Sequence, residues 1–290
     1  MAYRVQYIGS VYEKTYVASS ALEFDCVLVL KGGDQLKSKH YSAGYARLKP
    51  ELDELGEYQD VLDHGHVSTA FVRDIFMGGV QKCINELRGT KPYMKLKEHG
   101  PSVRMDILHN PSGKLWFSVD LLPAFALKDG SLFIPRPLKN EEFPVEPQTV
   151  WEESFALREK EVLASIDRHD NGIRKWCLRM LKVIRNNDPE LKPISSYIIK
   201  MLVLRENQIE YKWGPKDLGV RLIGLMLKLA RYLERGNMPH FDDHHINVLQ
   251  GMDSYQRERL AKYIKGLAQS KSRIYKILGD NERKGRHTEL

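Results

Sequence analysis

The sequence contains few cysteines and no apolar run long enough to span a bilayer. Cys26, Cys83 and Cys177 are widely spaced and form no C-x-x-C pair. This argues against a disulfide framework and against structural zinc, so we expect reduced and mostly buried thiols. The longest apolar stretch, residues 222–230, is interrupted by a glycine and a lysine, and the first ten residues lack the apolar segment of a secretion signal. We therefore expect a cytoplasmic protein with no membrane partner.

Positive charge is present in excess but is unevenly distributed along the 290 residues. The formal net charge is +7; residues 1–150 carry 18 basic and 19 acidic side chains, and residues 151–290 carry 27 and 19. A basic second half favours a polyanion such as nucleic acid, although a solubilising helix face explains the same charge. We take Lys262, Lys265 and Lys271 as the candidate nucleic-acid contacts.

The first half mixes strand and helix patterns. Residues 24–30, 103–108 and 115–121 are short apolar runs typical of strands, and residues 67–87 show helical spacing. Four prolines follow between residues 135 and 147, a density that excludes a regular element there.

After residue 149 the pattern becomes helical. We expect an α+β fold with a sheet-containing domain over 1–149 and a helical domain over 150–290. Five helices are predicted in the second domain: 151–166, 175–185, 195–205, 215–234 and 254–278.

Two carboxylates mark the first predicted strand. Glu23 and Asp25 are two residues apart, so on a strand they point to the same face and repel each other. Asp120 interrupts another apolar strand, where a lone carboxylate is costly without a cation. Three carboxylates on neighbouring strands suit a two-metal phosphoryl-transfer site, and Gly9-Ser10 could form a phosphate-binding turn. A solvated strand edge and an ordinary surface turn remain the alternatives.

The order of these motifs resembles a known family. Gly9-Ser10, twelve further residues, EFDCVLVL and later SVDLL resemble the metal-binding signature of the cyclic GMP-AMP synthase (cGAS) and cGAS-like receptor nucleotidyltransferases. The second half is similar through VWEESFALREKEVL, CLRMLK, ISSYIIKML and KDLG. The resemblance runs in order from about residue 9 to about residue 250.

This resemblance implies a nucleotidyltransferase core on a mixed sheet, a C-terminal α-helical lobe, and ATP and GTP bound between them. It implies that Glu23, Asp25 and Asp120 are the catalytic carboxylates and hold two Mg²⁺ (or Mn²⁺) ions, and that Gly9 and Ser10 contact the triphosphate. Lys182 matches a lysine that reaches the phosphates, Tyr197 a tyrosine that stacks on a base, and Ser196 a contact to the same nucleotide. Without the resemblance, Lys182 and Tyr197 would be ordinary helix residues.

Three departures from the family pattern modify these expectations. Residues 166–177 offer only His169 and Cys177 as zinc ligands, too few for the zinc-binding element of the vertebrate DNA sensor, so double-stranded RNA is preferred to double-stranded DNA as activator. Glu152 and Ala156 replace an arginine and a serine that contact nucleotide, which leaves room for a different substrate pair. The resemblance also implies a long amino-terminal helix, for which the eight residues before Gly9 are too few, so we expect a fragment, an isoform or a lineage-specific shortening.

The leading hypothesis is an innate immune sensor: a nucleic-acid-activated synthase of a cyclic dinucleotide such as cyclic GMP-AMP, with a ligand-induced dimer kept as an option. Its main competitor is a catalytically inactive family member that binds nucleic acid or protein as a developmental or scaffolding module. Template-free nucleotide addition to an RNA end is a third, weaker option.

Overall fold

The computed structural model describes residues 2–17, 22–51, 56–87, 89, 92–109, 113–136, 147–206 and 213–285. These residues form two compact units. The first comprises the described residues within 1–12 and 21–157, and the second those within 13–20 and 158–290. The predicted domain boundary at residue 149 stays a prediction. By Cα proximity, the first unit continues to Leu157, and the segment after Tyr12 belongs to the second unit.

The first unit is built on a mixed sheet. The strands are β1 Ala2–Ile8, β2 Glu23–Leu30, β3 Leu36–Ser42, β4 Tyr45–Pro50, β5 Leu62–Asp63, β6 His66–Val67, β7 Tyr93–His99, β8 Ser102–Leu108, β9 Leu115–Ala126, β10 Leu132–Ile134 and β11 Val150–Glu153. Among the described residues, nine of these strands pair in the order β1-β2-β9-β10-β11-β4-β3, with β8 pairing with β9 and β7 with β8. Strand β9 pairs with β2 in parallel and with β8 and β10 in antiparallel. A separate hairpin joins β5 and β6.

Two helices accompany these strands. The short α1, Gly9–Tyr12, directly follows β1, and α2 spans Thr69–Glu86. The Ser68 hydroxyl caps α2 by accepting a hydrogen bond from the Phe71 amide at 3.3 Å. Apolar residues of α2 pack on one side-chain cluster of the sheet, and residues 156 and 157 pack against another. Burial of this apolar surface fixes the strands that carry the candidate site.

The second unit is helical. Its helices are α3 Ala156–Asp170, whose first two residues belong to the first unit, α4 Ile173–Asn187, α5 Ser196–Glu206, α6 Leu218–Arg235, α7 Ser254–Gln269 and α8 Lys271–Gly285. Helix α5 is apolar on most sides and lies in the core of this unit, with Met201, Leu202 and Leu204 fully buried. An α+β fold with a mixed sheet and C-terminal helices is therefore confirmed.

Two predicted helices are wrong in detail. The helix expected from Trp151 begins only at Ala156, because residues 150–153 pair with β4 and β10 as β11. Trp151 is fully buried there and its indole N–H donates to the Val67 carbonyl at 2.8 Å. The helix expected over 254–278 is two helices, since the backbone at Ser270 leaves the helical region.

The structure also shows how far each cysteine is buried and whether any described helix could span a membrane. Cys26 and Cys177 are buried as predicted, whereas Cys83 is exposed on α2. No helix in the described part of the chain is both long and apolar enough to cross a bilayer.

Candidate active site

The three predicted carboxylates lie on one face of two adjacent parallel strands. Asp25 of β2 is directly opposite Asp120 of β9 in the register, and Glu23 is opposite Ser118. Because side chains alternate along a strand, Glu23, Asp25 and Asp120 point to the same side of the sheet. Asp120 is buried, while Glu23 keeps 45% of its side chain exposed. The predicted placement of Glu23 and Asp25 on one face of a strand thus agrees with the structure. The catalytic role of the three carboxylates stays a prediction.

A fourth residue on this face was not predicted from the sequence. Arg104 of β8 lies directly opposite Asp120 across the antiparallel pair. Its Nε atom donates to Asp120 Oδ1 at 2.7 Å and its Nη2 atom to Oδ2 at 2.8 Å. The same Nη2 atom lies 2.8 Å from Glu23 Oε1. Hydrogen bonding to Asp120 raises the pKa of the Arg104 guanidinium above its ordinary value.

A second ion pair lies in the next row of the same face. Asp106 of β8 accepts hydrogen bonds from Lys97 Nζ and Ser118 Oγ, each at 2.7 Å. Burial raises the pKa of Asp106, but these two donors outweigh it and the net pKa is lowered. His99 Nδ1 is also 3.3 Å from Asp120 Oδ2. The face therefore carries four carboxylates and at least two permanent cations.

The predicted phosphate turn lies against Asp25, one of these carboxylates. Gly9 has φ +79°, in the region that favours glycine, and opens the short helix α1. A Cβ atom at Gly9 would lie 1.8 Å from Asp25 Oδ2. Ser10 follows it and is half-buried. The glycine is thus required by both the backbone angle and the close approach of the Asp25 carboxylate.

The donor set suits a divalent cation in its chemistry, since Mg²⁺ prefers carboxylate oxygens. As the side chains lie, however, no group of three or more histidine, cysteine, aspartate or glutamate side chains among the described residues converges to hold a metal ion. Arg104 lies among these carboxylates, and its guanidinium contacts both oxygens of Asp120 and one of Glu23. A metal ion bound to all three carboxylates would either share these oxygens with the Arg104 guanidinium or displace it.

Lys182, the predicted phosphate ligand, belongs to the second unit. It lies on α4, where its Nζ atom donates to the Thr15 carbonyl at 3.2 Å and to the Thr15 hydroxyl at 3.3 Å. Thr15 is fully buried. The lysine is therefore held by the segment that follows α1 in sequence.

Ser196 and Tyr197 begin α5, and both are exposed. Ser196 is the first residue of the helix, where backbone N–H groups have no partner within the helix. The Tyr197 ring stacks on His240, with centroids 6.4 Å apart and the planes at 22°, and its hydroxyl is 3.1 Å from His240 Nε2. This contact fixes the orientation of a ring that is 42% exposed.

His240 itself is held from the other side. Its Nδ1 atom accepts hydrogen bonds from the backbone amides of Asp242 and Asp243, at 3.2 and 3.3 Å. Nδ1 is therefore the unprotonated nitrogen, and Nε2–H donates to the Tyr197 hydroxyl. Burial lowers the pKa of His240 to about 4.

Beneath Tyr197 lies a buried ionic cluster in the same unit. Lys200 Nζ contacts Glu13 Oε1 at 3.1 Å and Glu159 Oε2 at 2.5 Å, and both carboxylates are buried. Desolvation lowers the pKa of Lys200, but the two carboxylates reverse this and the net pKa is raised. The ammonium also lies 5.9 Å from the Tyr197 ring centroid. This cluster anchors the start of α5.

Glu152, which stands where the family has an arginine, lies on β11. Arg136 Nη1 contacts its Oε1 atom at 2.7 Å. Burial raises the pKa of Glu152, while Arg136 acts in the opposite direction. A guanidinium is therefore present beside this position, supplied by Arg136.

The candidate nucleic-acid lysines differ in their surroundings. Lys262 and Lys271 are exposed on α7 and α8, whereas Lys265 forms an ion pair with Glu234. The first unit also brings several basic residues together, although the first half of the chain is close to neutral. On the hairpin of β3 and β4, Lys37 is opposite Lys49 and Lys39 is opposite Arg47. Like charges placed directly opposite destabilise a sheet, so a polyanion there would offset the repulsion.

Known proteins are similar in sequence to both units of the chain. The profile of the Mab-21 protein HhH/H2TH-like domain matches residues 173–266. Cyclic GMP-AMP synthase-like receptor 3 of Stylophora pistillata is 27% identical over 95% of this chain and 84% of its own length. Mitochondrial dynamics protein MID51 of Danio rerio is 29% identical over 45% of this chain and 28% of its own length. Protein mab-21-like of Drosophila pseudoobscura pseudoobscura is 30% identical over 39% of this chain and 31% of its own length. The last two names state no enzymatic activity.

Proposed function

Because the chain belongs to the cGAS-like receptor and Mab-21 family of nucleotidyltransferases, we propose that it makes a cyclic dinucleotide, such as cyclic GMP-AMP, from ATP and GTP. The observation that carries the proposal is the register of β2 and β9, which sets Asp25 opposite Asp120 with Glu23 on the same face. Three carboxylates gathered on one face repel one another, and a bound divalent cation would offset that repulsion.

The carboxylates have assigned roles in this proposal. Glu23, Asp25 and Asp120 would hold Mg²⁺ or Mn²⁺, and the ions would supply activation of a ribose hydroxyl and stabilisation of the charge that develops on pyrophosphate. The backbone at Gly9 and the Ser10 hydroxyl position the triphosphate beside Asp25.

Side chains of the second unit bind and orient the nucleotide. Lys182 contacts its phosphates and Tyr197 stacks on its base, with Ser196 at the start of α5 as a further contact. The His240 hydrogen bond supports this role of Tyr197, because it holds the exposed ring in one orientation.

Activation by nucleic acid, preferably double-stranded RNA, is the second part of the proposal. Basic side chains at Lys262 and Lys271, and the cross-strand cations of β3 and β4, offer phosphate contacts without base readout. A-form RNA is recognised mainly through its shape and backbone. The physiological setting we propose is cytoplasmic innate immune sensing.

A direct assay tests the activity. Purified protein is incubated with ATP, GTP and Mg²⁺ or Mn²⁺, with double-stranded RNA, double-stranded DNA or neither, and small products are resolved by mass spectrometry. We expect a cyclic dinucleotide only with one nucleic acid, its loss in Asp25→Asn, and its retention in Glu98→Gln, a control at an exposed carboxylate on β7. Elongated RNA without a small product would indicate end addition instead.

A second candidate function is a non-enzymatic module that binds nucleic acid or protein. Two observations favour it: Arg104 holds two of the three carboxylates, and Glu152 stands where the family has arginine. This alternative predicts nucleotide or nucleic-acid binding with no product in any arm of the assay.

A further inference from the structure

Arg104 lies at the centre of the carboxylate face and is placed there by the backbone. Strand pairing sets Arg104 opposite Asp120, which is in turn opposite Asp25, so the three residues form one row across β8, β9 and β2. Only 13% of the Arg104 side chain is exposed. Its position therefore follows from the sheet register and differs from that of a mobile surface arginine.

The contacts of Arg104 have the geometry of strong carboxylate recognition. Two parallel N–H donors, Nε and Nη2, reach both oxygens of Asp120, and Nη2 also reaches Glu23. Charge-assisted bidentate pairs of this kind are among the strongest hydrogen bonds in proteins. The oxygens involved are those that a divalent ion would need.

We propose that Arg104 is a built-in counter-cation of this face and competes with Mg²⁺ or Mn²⁺ for Asp120 and Glu23. The inference rests on the proposed function only in taking these ions as the ones the carboxylates meet. It predicts that the protein binds a divalent ion weakly while Arg104 is in place. Full occupancy then requires displacement of the guanidinium, which a bound triphosphate could assist by offering it an alternative anion.

The charges of this face support competition. Glu23, Asp25 and Asp120 carry three negative charges, of which Arg104 neutralises one. The neighbouring Asp106 is paired with Lys97 and adds none. A divalent ion approaching the Asp120 oxygens would lie beside the guanidinium and be repelled by it, so binding costs more than at an unblocked triad.

The test measures Mn²⁺ binding without nucleotide, by titration with detection of free Mn²⁺ by electron paramagnetic resonance. We expect Arg104→Gln to bind Mn²⁺ at least tenfold more tightly than the unaltered protein. Lys97→Gln is the matched control, because it removes one positive charge from the adjacent residue of the same sheet face but from a different carboxylate. Its affinity should stay within about threefold of the unaltered protein.

A second readout is thermal unfolding with increasing Mn²⁺. A ligand that binds only the native state raises the unfolding temperature, and the rise should be larger for Arg104→Gln. Should Arg104→Gln fail to fold, Arg104→Lys, which keeps the charge and removes the bidentate fork, should show an intermediate gain in affinity.

Two outcomes overturn the inference: equal Mn²⁺ affinity in the unaltered protein and the Arg104 variants, or an equal gain in Lys97→Gln, which would show a general charge effect. Both are measured without turnover. Absence of product in the activity assay therefore counts against the proposed function alone, and equal Mn²⁺ affinity counts against the competition even in an active enzyme.

Discussion

Gly9 lies so close to Asp25 that a Cβ atom at residue 9 would come within 1.8 Å of the Asp25 Oδ2 atom. The glycine also has φ +79°. The turn and the carboxylate are therefore a single unit, in which the glycine leaves the space that the carboxylate occupies.

Replacing this glycine should displace the carboxylate. In Gly9→Ala we expect Mn²⁺ binding and product formation to fall by at least tenfold, and the free energy of unfolding to fall by about 1–2 kcal/mol. Titration with Mn²⁺, the product assay and urea unfolding measure these effects.

Gly65→Ala is the matched control. Gly65 has φ +76° and no atom within 4 Å of an added Cβ, so the substitution carries the backbone strain without the clash. An equal fall in Mn²⁺ binding in both variants would show that strain, rather than contact with Asp25, is responsible.

The buried ion pair of Asp120 and Arg104 should contribute to the free energy of unfolding. Asp120→Asn removes the charge that pairs with Arg104 and leaves a largely buried guanidinium with Glu23 alone. Hydrogen bonds to charged groups contribute about 1.5–3 kcal/mol, so we expect a decrease of about 2 kcal/mol in the free energy of unfolding in urea. Asp25→Asn should cost less, because the Arg104 guanidinium donates to Asp120 and pairs with Glu23. A smaller decrease for Asp120→Asn than for Asp25→Asn would contradict the assigned pairing.

The site residues of the sheet were predictable because their signals are local. The spacing of Glu23 and Asp25 sets their common face as soon as residues 24–30 form a strand, and an aspartate inside an apolar strand marks Asp120. Arg104 gives no such signal. Its role depends on the pairing of β8 with β9, and a shift of one residue would turn it to the other face of the sheet.

The second unit shows the same limit. Local periodicity predicted α4, α5 and α6. It did not predict that Thr15 and Glu13, which follow the Gly9-Ser10 turn in sequence, contact Lys182 and Lys200. Contacts between residues so far apart in the chain leave no pattern in a single sequence. The strand at residues 150–153 was missed because it is short and precedes a strongly helical segment.

Lys182 should affect nucleotide binding more than Thr15, its hydrogen-bond partner, does. We expect Lys182→Met to raise the nucleotide KM at least tenfold, because it removes the cation assigned to the phosphates. Thr15→Val removes only the hydroxyl that accepts from Lys182 and keeps the ammonium. Its KM should change by no more than about threefold, as measured by initial rates. An equal rise in both variants would show that Thr15 positions the lysine.

Folding stability should fall at acidic pH because His240 resists protonation in the folded protein. Burial lowers the folded-state pKa of His240 to about 4, whereas the unfolded value is about 6.5. Between these values the unfolded chain takes up a proton and the folded protein does not, so stability decreases as the pH falls from about 6.5 to about 4. The full difference corresponds to about 3 kcal/mol at most.

Comparison with His240→Gln isolates this contribution from that of the carboxylates. Urea unfolding between about pH 4 and about pH 7 should show a shallower dependence in His240→Gln, whose amide can still pair with the Tyr197 hydroxyl. Asp243, Arg205 and Lys200 lie near the ring and act on the same pKa. Parallel pH dependences in the two proteins would place the protonation elsewhere.

The salt dependence of nucleic-acid binding should identify the surface that meets phosphate. Removal of one cation that binds a phosphate makes the slope of log K against log salt shallower by about 0.9. In the triple variant Lys262→Gln, Lys265→Gln, Lys271→Gln we expect a change of about 2 rather than about 3 in that slope, since Glu234 already holds Lys265.

The β3–β4 triple variant Lys37→Gln, Lys39→Gln, Lys49→Gln removes three cations from the other unit and provides the comparison. An unchanged slope in the α7–α8 variant with a shallower slope in the β3–β4 variant would move the nucleic-acid surface to the β3–β4 hairpin. Shallower slopes in both variants would mean that each unit binds phosphates.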